Sequence, residues 1–205
     1  MNNTIRFFEA LYRDCKEGYL TIWTLQDKKT YWFKVSKYEE AAEAALLLAQ
    51  KEYDVYFGVG LRREKLGPMQ RGSAKDVAII PGIWMDIDIK SDVHKEKQLP
   101  PDIDAALQII DEFPMEPSIL INSGHGLHSY WLFKEPWIIR TEEEQKKASQ
   151  YLQEFQGTFL QYALDFGWKL DNTSDLARVL RVPGTINYKG EPKDVQIIAR
   201  QFAKI

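Results

Sequence analysis

In the first part of the chain, some stretches repeat hydrophobic positions with the period of a helix and others with the period of a strand. The predicted elements are a helix at 3–16, strands at 19–25 and 30–35, a helix at 36–50, a strand at 53–61 and a basic loop at 62–76. Four polar residues at 26–29 separate the first two strands as in a hairpin, and Ser36 with Glu39 forms a capping box for the second helix. This order, α-β-β-α-β, predicts a small α/β lobe at the N-terminus.

The second part of the chain has a different order of elements. They are a strand at 83–89, a helix at 102–113, strands at 117–123 and 126–133, a helix at 141–166 and a final strand at 195–202. Asp102 is the expected cap of the first of these helices, and Thr141 with Glu144 forms a capping box for the second. The order β-α-β-β-α-β is the split βαβ of ferredoxin-like and RNA-recognition folds. We therefore predict a single α+β domain with two lobes, at about 1–76 and 77–205.

Composition narrows the class of protein. The chain has 205 residues, 44% of them hydrophobic, which is enough for a real core. Its net charge of −3 argues against a globally basic nucleic-acid binder, although a local basic patch is compatible with it. Cys15 is the only cysteine, so neither a disulfide framework nor a cysteine-based zinc site fits within one chain. Because it has no signal-peptide pattern and no long apolar run, we expect a cytoplasmic protein without a membrane segment.

Two aspartates, Asp86 and Asp88, interrupt the hydrophobic stretch GIWMDIDIK. On a strand they point to the same side, with Cα atoms about 6–7 Å apart, so their charges repel. A divalent cation turns that repulsion into binding, and Mg²⁺ prefers carboxylate oxygens while keeping positions for water and phosphate. The alternative is a D-x-D that falls by chance at a strand end and faces solvent. The apolar neighbours Trp84, Ile87 and Ile89 favour a central strand, where an unpaired charge is costly.

The stretch NSGHGLHSYWLF predicts a hairpin that contains two glycines and two histidines. In the split βαβ order this hairpin lies beside the first strand, which brings His128 near the acidic pair. The groups expected to contact phosphate are the backbone N–H groups of Ser123, Gly124 and Gly126 and the ring of His128. The alternative is an ordinary hairpin with a satisfied histidine. A His125–His128 chelate is excluded because residues three apart on a strand face opposite sides, and His94 is expected at the surface.

Basic residues cluster in two further segments. In TSDLARVLRVPGTINYKG, Asp175 and Arg178 share a face if the segment opens with a short helix, and the arginine fork suits phosphate. The alternative there is a solvated salt bridge between the two residues. In the loop at 62–76, the residues expected to contact template phosphates or a triphosphate are Arg62, Arg63, Lys65, Arg71 and Lys75. A solvated loop is the alternative, and nearby Tyr56 and Phe57 are candidates either for base stacking or for the core.

Together these segments resemble the archaeo-eukaryotic primase, or primase-polymerase, superfamily over roughly residues 53–200. The family's first motif is a D-x-D on a strand, matched by Asp86 and Asp88. Its second is a serine, small residues and a histidine, matched by Ser123 and His128 in SGHGLH. Its third is an acid accompanied by basic residues, and DLARVLRVPGTINYK looks like the phage and plasmid branch. The matching positions of the third motif are Asp175, Arg178, Arg181 and Lys189.

The resemblance implies a two-lobed primase-polymerase catalytic domain, which extends a primer 3′-hydroxyl with dNTPs or NTPs along a single-stranded DNA template. It implies that Asp86, Asp88 and Asp175 hold two Mg²⁺ or Mn²⁺ ions, with Asp171 as the alternative third acid. The residues implied to bind the nucleotide are Ser123, Gly124, Gly126, His128, Arg178, Arg181 and Lys189. No zinc is expected, and relatives are often fused to a helicase or other domains.

Three other functions compete with this one. A catalytically silent module would bind single-stranded nucleic acid without metal and would not bind nucleotides. A rolling-circle replication nuclease needs a His-hydrophobe-His metal pair, whereas this chain has H-G-L-H. A nucleotide-sugar transferase also uses D-x-D, but its chemistry gives the arginine segment no obvious role.

Overall fold

The computed structural model describes residues 2–92, 96–200 and 204–205, so His94 lies outside the described part of the chain. The helices are α1 (Asn3–Tyr12), α2 (Tyr38–Ala49), α3 (Ile103–Glu112) and α4 (Glu142–Asp165). The strands are β1 (Tyr19–Thr24), β2 (Thr30–Lys34), β3 (Val55–Gly58), β4 (Leu61–Arg62), β5 (Val77–Asp88), β6 (Ile119–Asn122), β7 (Gly126–Ile138), β8 (Val179–Arg181), β9 (Ile186–Asn187), β10 (Lys193–Asp194) and β11 (Gln196–Arg200). Within these ranges no helix is both long enough and apolar enough to cross a membrane.

Nine strands of the described residues form one sheet, which confirms the predicted α+β class. Its order is β11-β6-β7-β5-β4-β1-β3-β8, with β2 on the free flank of β1, while β9 and β10 pair separately. The split βαβ is present, because the β6–β7 hairpin folds back and places β7 between β6 and β5. β11 pairs with β6 at the outer edge, and β4 occupies the other flank of β5. The strands of both lobes therefore belong to a continuous sheet.

The strand predicted at 53–61 is interrupted, and the interruption shapes the molecule. β3 and β4 follow one another along the same flank of β1, separated by Val59 and Gly60. On their other flank, β3 pairs with β8 while β4 pairs with β5. The hydroxyl of Tyr12 lies 3.1 Å from the carbonyl oxygen of Gly58 and 2.9 Å from that of Val59, which holds the break in place. A cleft consequently opens between β5 and β8.

Several predicted boundaries differ from the structure. The capping box of Ser36 and Glu39 is wrong, because Ser36 lies in a 3-10 turn and the N-cap of α2 is Lys37, which makes no side-chain cap hydrogen bond. β5 begins at Val77 instead of residue 83, since its first half pairs with β4 and with the long end of β7. The basic loop is correspondingly shorter and contains the 3-10 turn Ala74–Asp76.

Alternating residues of β7 divide the core between the two faces of the sheet. The ring of Trp131 lies 5.8 Å from that of Phe113, just after α3, and 4.9 Å from that of Phe155 on α4. Tyr130 points to the opposite side, where its ring lies 5.5 Å from that of Phe7 on α1. Because Tyr130 pairs with β5 two residues before the acidic pair, that pair shares the face of Tyr130, away from α3 and α4.

The predicted capping box of α4 is confirmed, and it gives a test of the fold. The Thr141 hydroxyl accepts a hydrogen bond from the Glu144 N–H at 3.1 Å, and the Glu144 carboxylate accepts from the Thr141 N–H at 2.9 Å. We expect Thr141→Ala to lower the free energy of unfolding by about 1 kcal/mol in denaturant titration. Thr158→Ala is the control, because the exposed Thr158 hydroxyl only donates to a carbonyl within the helix, which adds little stability. Equal losses for both variants would contradict the assignment.

Candidate functional site

The acidic pair lies at the end of β5 and faces a cavity. Asp86 and Asp88 are partly buried and line a space of about 220 Å³ between β5, β7 and β8. Burial, followed by the negative charge of Asp86, raises the pKa of Asp88 to about 7. A carboxyl group that is held partly protonated, first by burial and then by a neighbouring carboxylate, is the arrangement that a divalent cation relieves.

Asp86 is held by one residue from each side of the cleft. Arg178 donates from Nη2 to Asp86 Oδ2 at 2.8 Å, and His128 Nε2 lies 3.5 Å from Asp86 Oδ1. His128 stands directly opposite Asp86 in the β5–β7 register, as the hairpin prediction required. Burial lowers the pKa of His128 to about 4, so the ring is neutral at pH 7. A neutral ring presents one N–H donor to this cavity without adding charge.

The glycine turn presents less free backbone than we predicted. The Ser123 N–H donates to the Gly126 carbonyl at 2.9 Å, and the Gly124 N–H donates to Asn122 Oδ1 at 2.9 Å. A phosphate cradle built from those two N–H groups is therefore wrong for this structure, because both already have acceptors. The glycines serve geometry instead: Gly124 has φ +92°, and a Cβ on Gly126 would lie 2.2 Å from the Ile87 carbonyl oxygen. Ser123 itself lines the cavity.

The arginine segment opens with a turn, so the short helix that would put Asp175 and Arg178 on one face does not form. The Arg178 N–H donates to the Asp175 carbonyl at 2.8 Å, and the Asp175 carboxylate accepts from the Ala177 N–H at 3.0 Å. The turn leads into β8, so the side chain of Arg178 pairs with Asp86 and not with Asp175. The structure does not bring Asp175 to the acidic pair, and places it on the wall of a neighbouring cavity.

The charge of Asp171 reaches the acidic pair. Its charge contributes to raising the pKa of Asp88, although burial and Asp86 contribute more. The loop that carries Asp171 is fastened by the fully buried side chain of Gln156 on α4. Gln156 Nε2 donates to the Trp84 carbonyl at 2.7 Å, and its Oε1 accepts from the Thr173 N–H at 2.9 Å. One amide therefore connects the strand of the acidic pair with the loop of Asp171.

Arg181 and Lys189 also line the cavity, but they differ in burial and in their charged partners. Arg181 is buried and forms an ion pair with Asp54, whereas Lys189 is exposed and its charge lowers the pKa of Asp88. Asn187 is a cavity residue that the sequence interpretation missed, although it stands two positions before Lys189. Its Nδ2 donates to the Ser123 carbonyl at 2.7 Å and so ties the third segment to the glycine turn.

Arg62 is buried away from solvent, so the prediction that it contacts nucleic acid is wrong. The side chain is fully buried, and burial lowers the pKa of its guanidinium to about 10. Its nitrogens donate to the carbonyls of Gly60, Arg71 and Ala177. Arg62 is thus a structural link between the β3–β4 break, the basic loop and the turn before β8.

The other members of the basic loop point to different places. Arg63 donates to the Ile139 carbonyl at 2.9 Å, and Lys65 lines a cavity beside β2. Lys75 is exposed, and Arg71 lines the same neighbouring cavity as Asp175. Arg71 is therefore the basic loop residue that reaches the region next to the acidic pair.

The two aromatic candidates separate as well. Phe57 is fully buried, with its ring 5.3 Å from that of Phe7, so it belongs to the core. Tyr56 is partly buried and lines both the cavity of the acidic pair and the neighbouring one. Tyr56 is thus the one of the two that a ligand would reach.

The donor set at the acidic pair fits a hard divalent cation. Among the described residues, no group of three His, Cys, Asp or Glu side chains lies close enough together to hold a metal ion. Asp86 and Asp88 nevertheless offer two carboxylates in an open cavity, and Mg²⁺ is usually held by one or two carboxylates together with water and substrate phosphates. Carboxylate and water ligands suit Mg²⁺ or Mn²⁺.

Neither a protein-family model nor a curated protein sequence matches this chain. Its structure is similar to the archaeo-eukaryotic primase domain of the cyanophage S-2L primase-polymerase, with a TM-score of 0.60 and 14% identity over 99% of this chain and 92% of that one. It is also similar to the catalytic domain of primase RepB′ in complex with initiator DNA, with a TM-score of 0.56 and 9% identity over 99% and 88% of the two chains.

A further structure of RepB′ matches with a TM-score of 0.54 and 10% identity, over 98% of this chain and 58% of that one. All three similarities extend over nearly the whole of this chain, so they include both lobes. They confirm, at the level of the fold, the resemblance carried by the three motifs. The chain therefore has the same fold as the cyanophage primase-polymerase domain and the RepB′ catalytic domain.

Proposed function

We propose that this chain is a primase-polymerase catalytic domain that transfers nucleotides from dNTPs or NTPs to a primer 3′-hydroxyl on a single-stranded DNA template. The observation that carries the proposal is the cavity in which Asp86 and Asp88 face Arg178, His128 and Lys189. Two acids opposite a set of cations and donors suit a metal-bound triphosphate. The cyanophage primase-polymerase and the DNA-bound RepB′ catalytic domain have the same fold, which supports this choice.

In this proposal Asp86 and Asp88 hold Mg²⁺ or Mn²⁺, which when bound activates the attacking hydroxyl and stabilises the pyrophosphate leaving group. Arg178 occupies Asp86 in the free protein, and its side chain is 34% exposed, so it is placed to exchange that carboxylate for a phosphate oxygen. His128 and Ser123 donate to phosphate oxygens from the opposite wall. Arg181, neutralised by Asp54, supports the cavity wall.

Asp171 is our choice for the third acid, on the ground that its charge acts on Asp88. We expect Asp171→Asn to lower primer extension at limiting Mn²⁺ at least about tenfold, because groups near a metal site commonly contribute 10- to 100-fold. Asp175→Asn is the matched control and should have a smaller effect, since that carboxylate is engaged with the Ala177 N–H. A larger loss for Asp175→Asn would return the role to Asp175.

Primer extension on a single-stranded template with Mg²⁺ or Mn²⁺ tests the proposed function directly. We expect product from the wild type and none from the double variant Asp86→Ala with Asp88→Ala. A wild type that binds single-stranded DNA but makes no product with either metal would favour the catalytically silent binding module. Undiminished synthesis by the double variant would contradict the assigned acids.

A further inference from the structure

Neighbouring strands align a row of aromatic and arginine side chains beside the cavity of the acidic pair. Trp23 on β1 stands opposite Tyr56 on β3, which stands opposite Arg181 on β8, so the three share one face of the sheet. The rings of Trp23 and Tyr56 lie 5.4 Å apart, and the Arg181 guanidinium lies 4.7 Å from the centre of the Tyr56 ring. Arg71 completes the row from the basic loop, 4.5 Å from the centre of the Trp23 ring. We name these four residues the stacking row.

A cavity of about 650 Å³ flanks the stacking row. Trp23, Tyr56 and Arg71 contribute to its lining, together with Asp175 and Arg178. Tyr56 and Arg178 also line the smaller cavity that contains the acidic pair, so the two cavities adjoin. A ligand in the larger cavity would therefore lie next to a nucleotide bound at the acidic pair.

We propose that the larger cavity binds an unpaired nucleobase of the single-stranded template, stacked on Trp23; this inference rests on the proposed function. Every base has a π-face, so stacking on an aromatic ring tolerates any template sequence. Arg71 already places a flat cation over the indole, and a base takes that position when the strand binds. The released guanidinium then pairs with a template phosphate.

The distribution of charge favours a strand over the base of the incoming nucleotide. Arg71 and Lys75 are exposed on the basic loop, and neither lines the cavity of the acidic pair. A strand carries one phosphate for each nucleotide, so a template lying on Trp23 brings phosphates to both residues. An incoming nucleotide has its charge in the triphosphate, which Arg178 and Lys189 meet in the smaller cavity.

Fluorescence anisotropy with labelled oligo(dT) in chelator tests the inference without requiring synthesis. We expect Trp23→Ala to weaken binding about 5- to 100-fold, and Trp23→Phe to weaken it less, because phenylalanine keeps a ring. An abasic oligonucleotide of the same length carries the same phosphates, and its affinity should not change in either variant. A variant that had merely lost its fold would bind both oligonucleotides more weakly.

Trp137→Ala is the matched control. This tryptophan is also partly buried, and its ring packs against Phe133 and Tyr151 at the far end of β7. Equal weakening by the two alanine variants would overturn the inference. A second result would also overturn it: Trp23→Ala keeps its affinity for oligo(dT) but binds a non-hydrolysable dNTP analogue more weakly in Mn²⁺. That result would assign the cavity to the base of the incoming nucleotide. If Trp23→Ala binds and copies a template like the wild type, the inference falls while the proposed function stands.

Discussion

Replacing Asp88 with asparagine is expected to lower nucleotide transfer strongly and, at the same time, to stabilise the metal-free protein. Groups that only support a metal ligand already contribute 10- to 100-fold, so loss of the proposed direct ligand should lower primer extension by at least about 100-fold. The gain in stability follows because the variant no longer buries a carboxyl group beside the Asp86 carboxylate. The two effects have opposite signs because, in the proposed site, a bound cation offsets the cost of burying the two carboxyl groups together.

The gain in stability should depend on pH in a defined direction. The carboxyl of Asp88 ionises near pH 4 in the unfolded chain and at a pKa of about 7 in the folded protein. Between these values the folded state binds the extra proton, so the wild type loses stability as pH rises, and the loss is complete above pH 7. Asp88→Asn escapes that loss, so its advantage should be absent below pH 4 and reach roughly 2–4 kcal/mol above pH 7.

Thermal unfolding in chelator from pH 4 to pH 8, together with primer extension in Mn²⁺, measures both effects. Asp111→Asn on the exposed side of α3 is the control and should change neither quantity. Adding Mn²⁺ at pH 7.5 should stabilise the wild type more than Asp88→Asn. An Asp88→Asn protein that is less stable than the wild type at pH 7.5 would contradict the strained carboxyl pair.

The largest loss of stability is expected from Asp54→Ala. Asp54 and Arg181 are 4% and 5% exposed, and their ion pair lies between the start of β3 and the end of β8. Asp54 also accepts hydrogen bonds from the Gln26 side chain at 3.0 Å and from the Tyr188 N–H at 3.0 Å. Removing the carboxylate leaves Arg181 buried without its counter-charge, which should cost about 3–5 kcal/mol.

Denaturant titration can separate the cost of burying an unpaired charge from the cost of losing the ion pair. The two proteins to compare are Asp54→Ala and the double variant Asp54→Leu with Arg181→Met. The double variant should recover most of the stability, because it removes both charges. Asp14→Ala is the control, since its partner Lys204 is partly exposed and such pairs contribute about 0–1 kcal/mol. A loss no larger than that of Asp14→Ala would show that the buried pair adds little.

The sequence was most informative where local patterns determine structure. The capping box of Thr141 and Glu144, the cap at Asp102 and both hairpins depend on a few consecutive residues, and all are present. The position of His128 opposite Asp86 needed one further rule, the order of strands in a split βαβ. The pattern therefore located one half of the candidate site, the strand pair β5 and β7.

The rest of the site depends on contacts between distant segments. Arg62 looked like part of a basic loop because the sequence around it does not show that it is buried. An arginine can be buried only where several carbonyls converge on it, and two of those carbonyls belong to Arg71 and Ala177, which lie later in the chain. Asp54 gave no signal of its partner, which lies 127 positions later. The turn at Asp175 directs Arg178 to Asp86. The same residues are equally compatible with a short helix, so the sequence did not decide between the two.

The break between β3 and β4, where the sheet divides, also limits how the molecule can move. β4 joins β1 on one flank and β5 on the other, so backbone hydrogen bonds bridge the lobes where a flexible linker would otherwise allow a hinge. Rigid-body closure would have to break this bridge, together with the bonds that Arg62 makes across it. In the proposed function, we therefore expect a nucleotide to enter by side-chain rearrangement, chiefly the release of Asp86 by Arg178, without closure of the cleft.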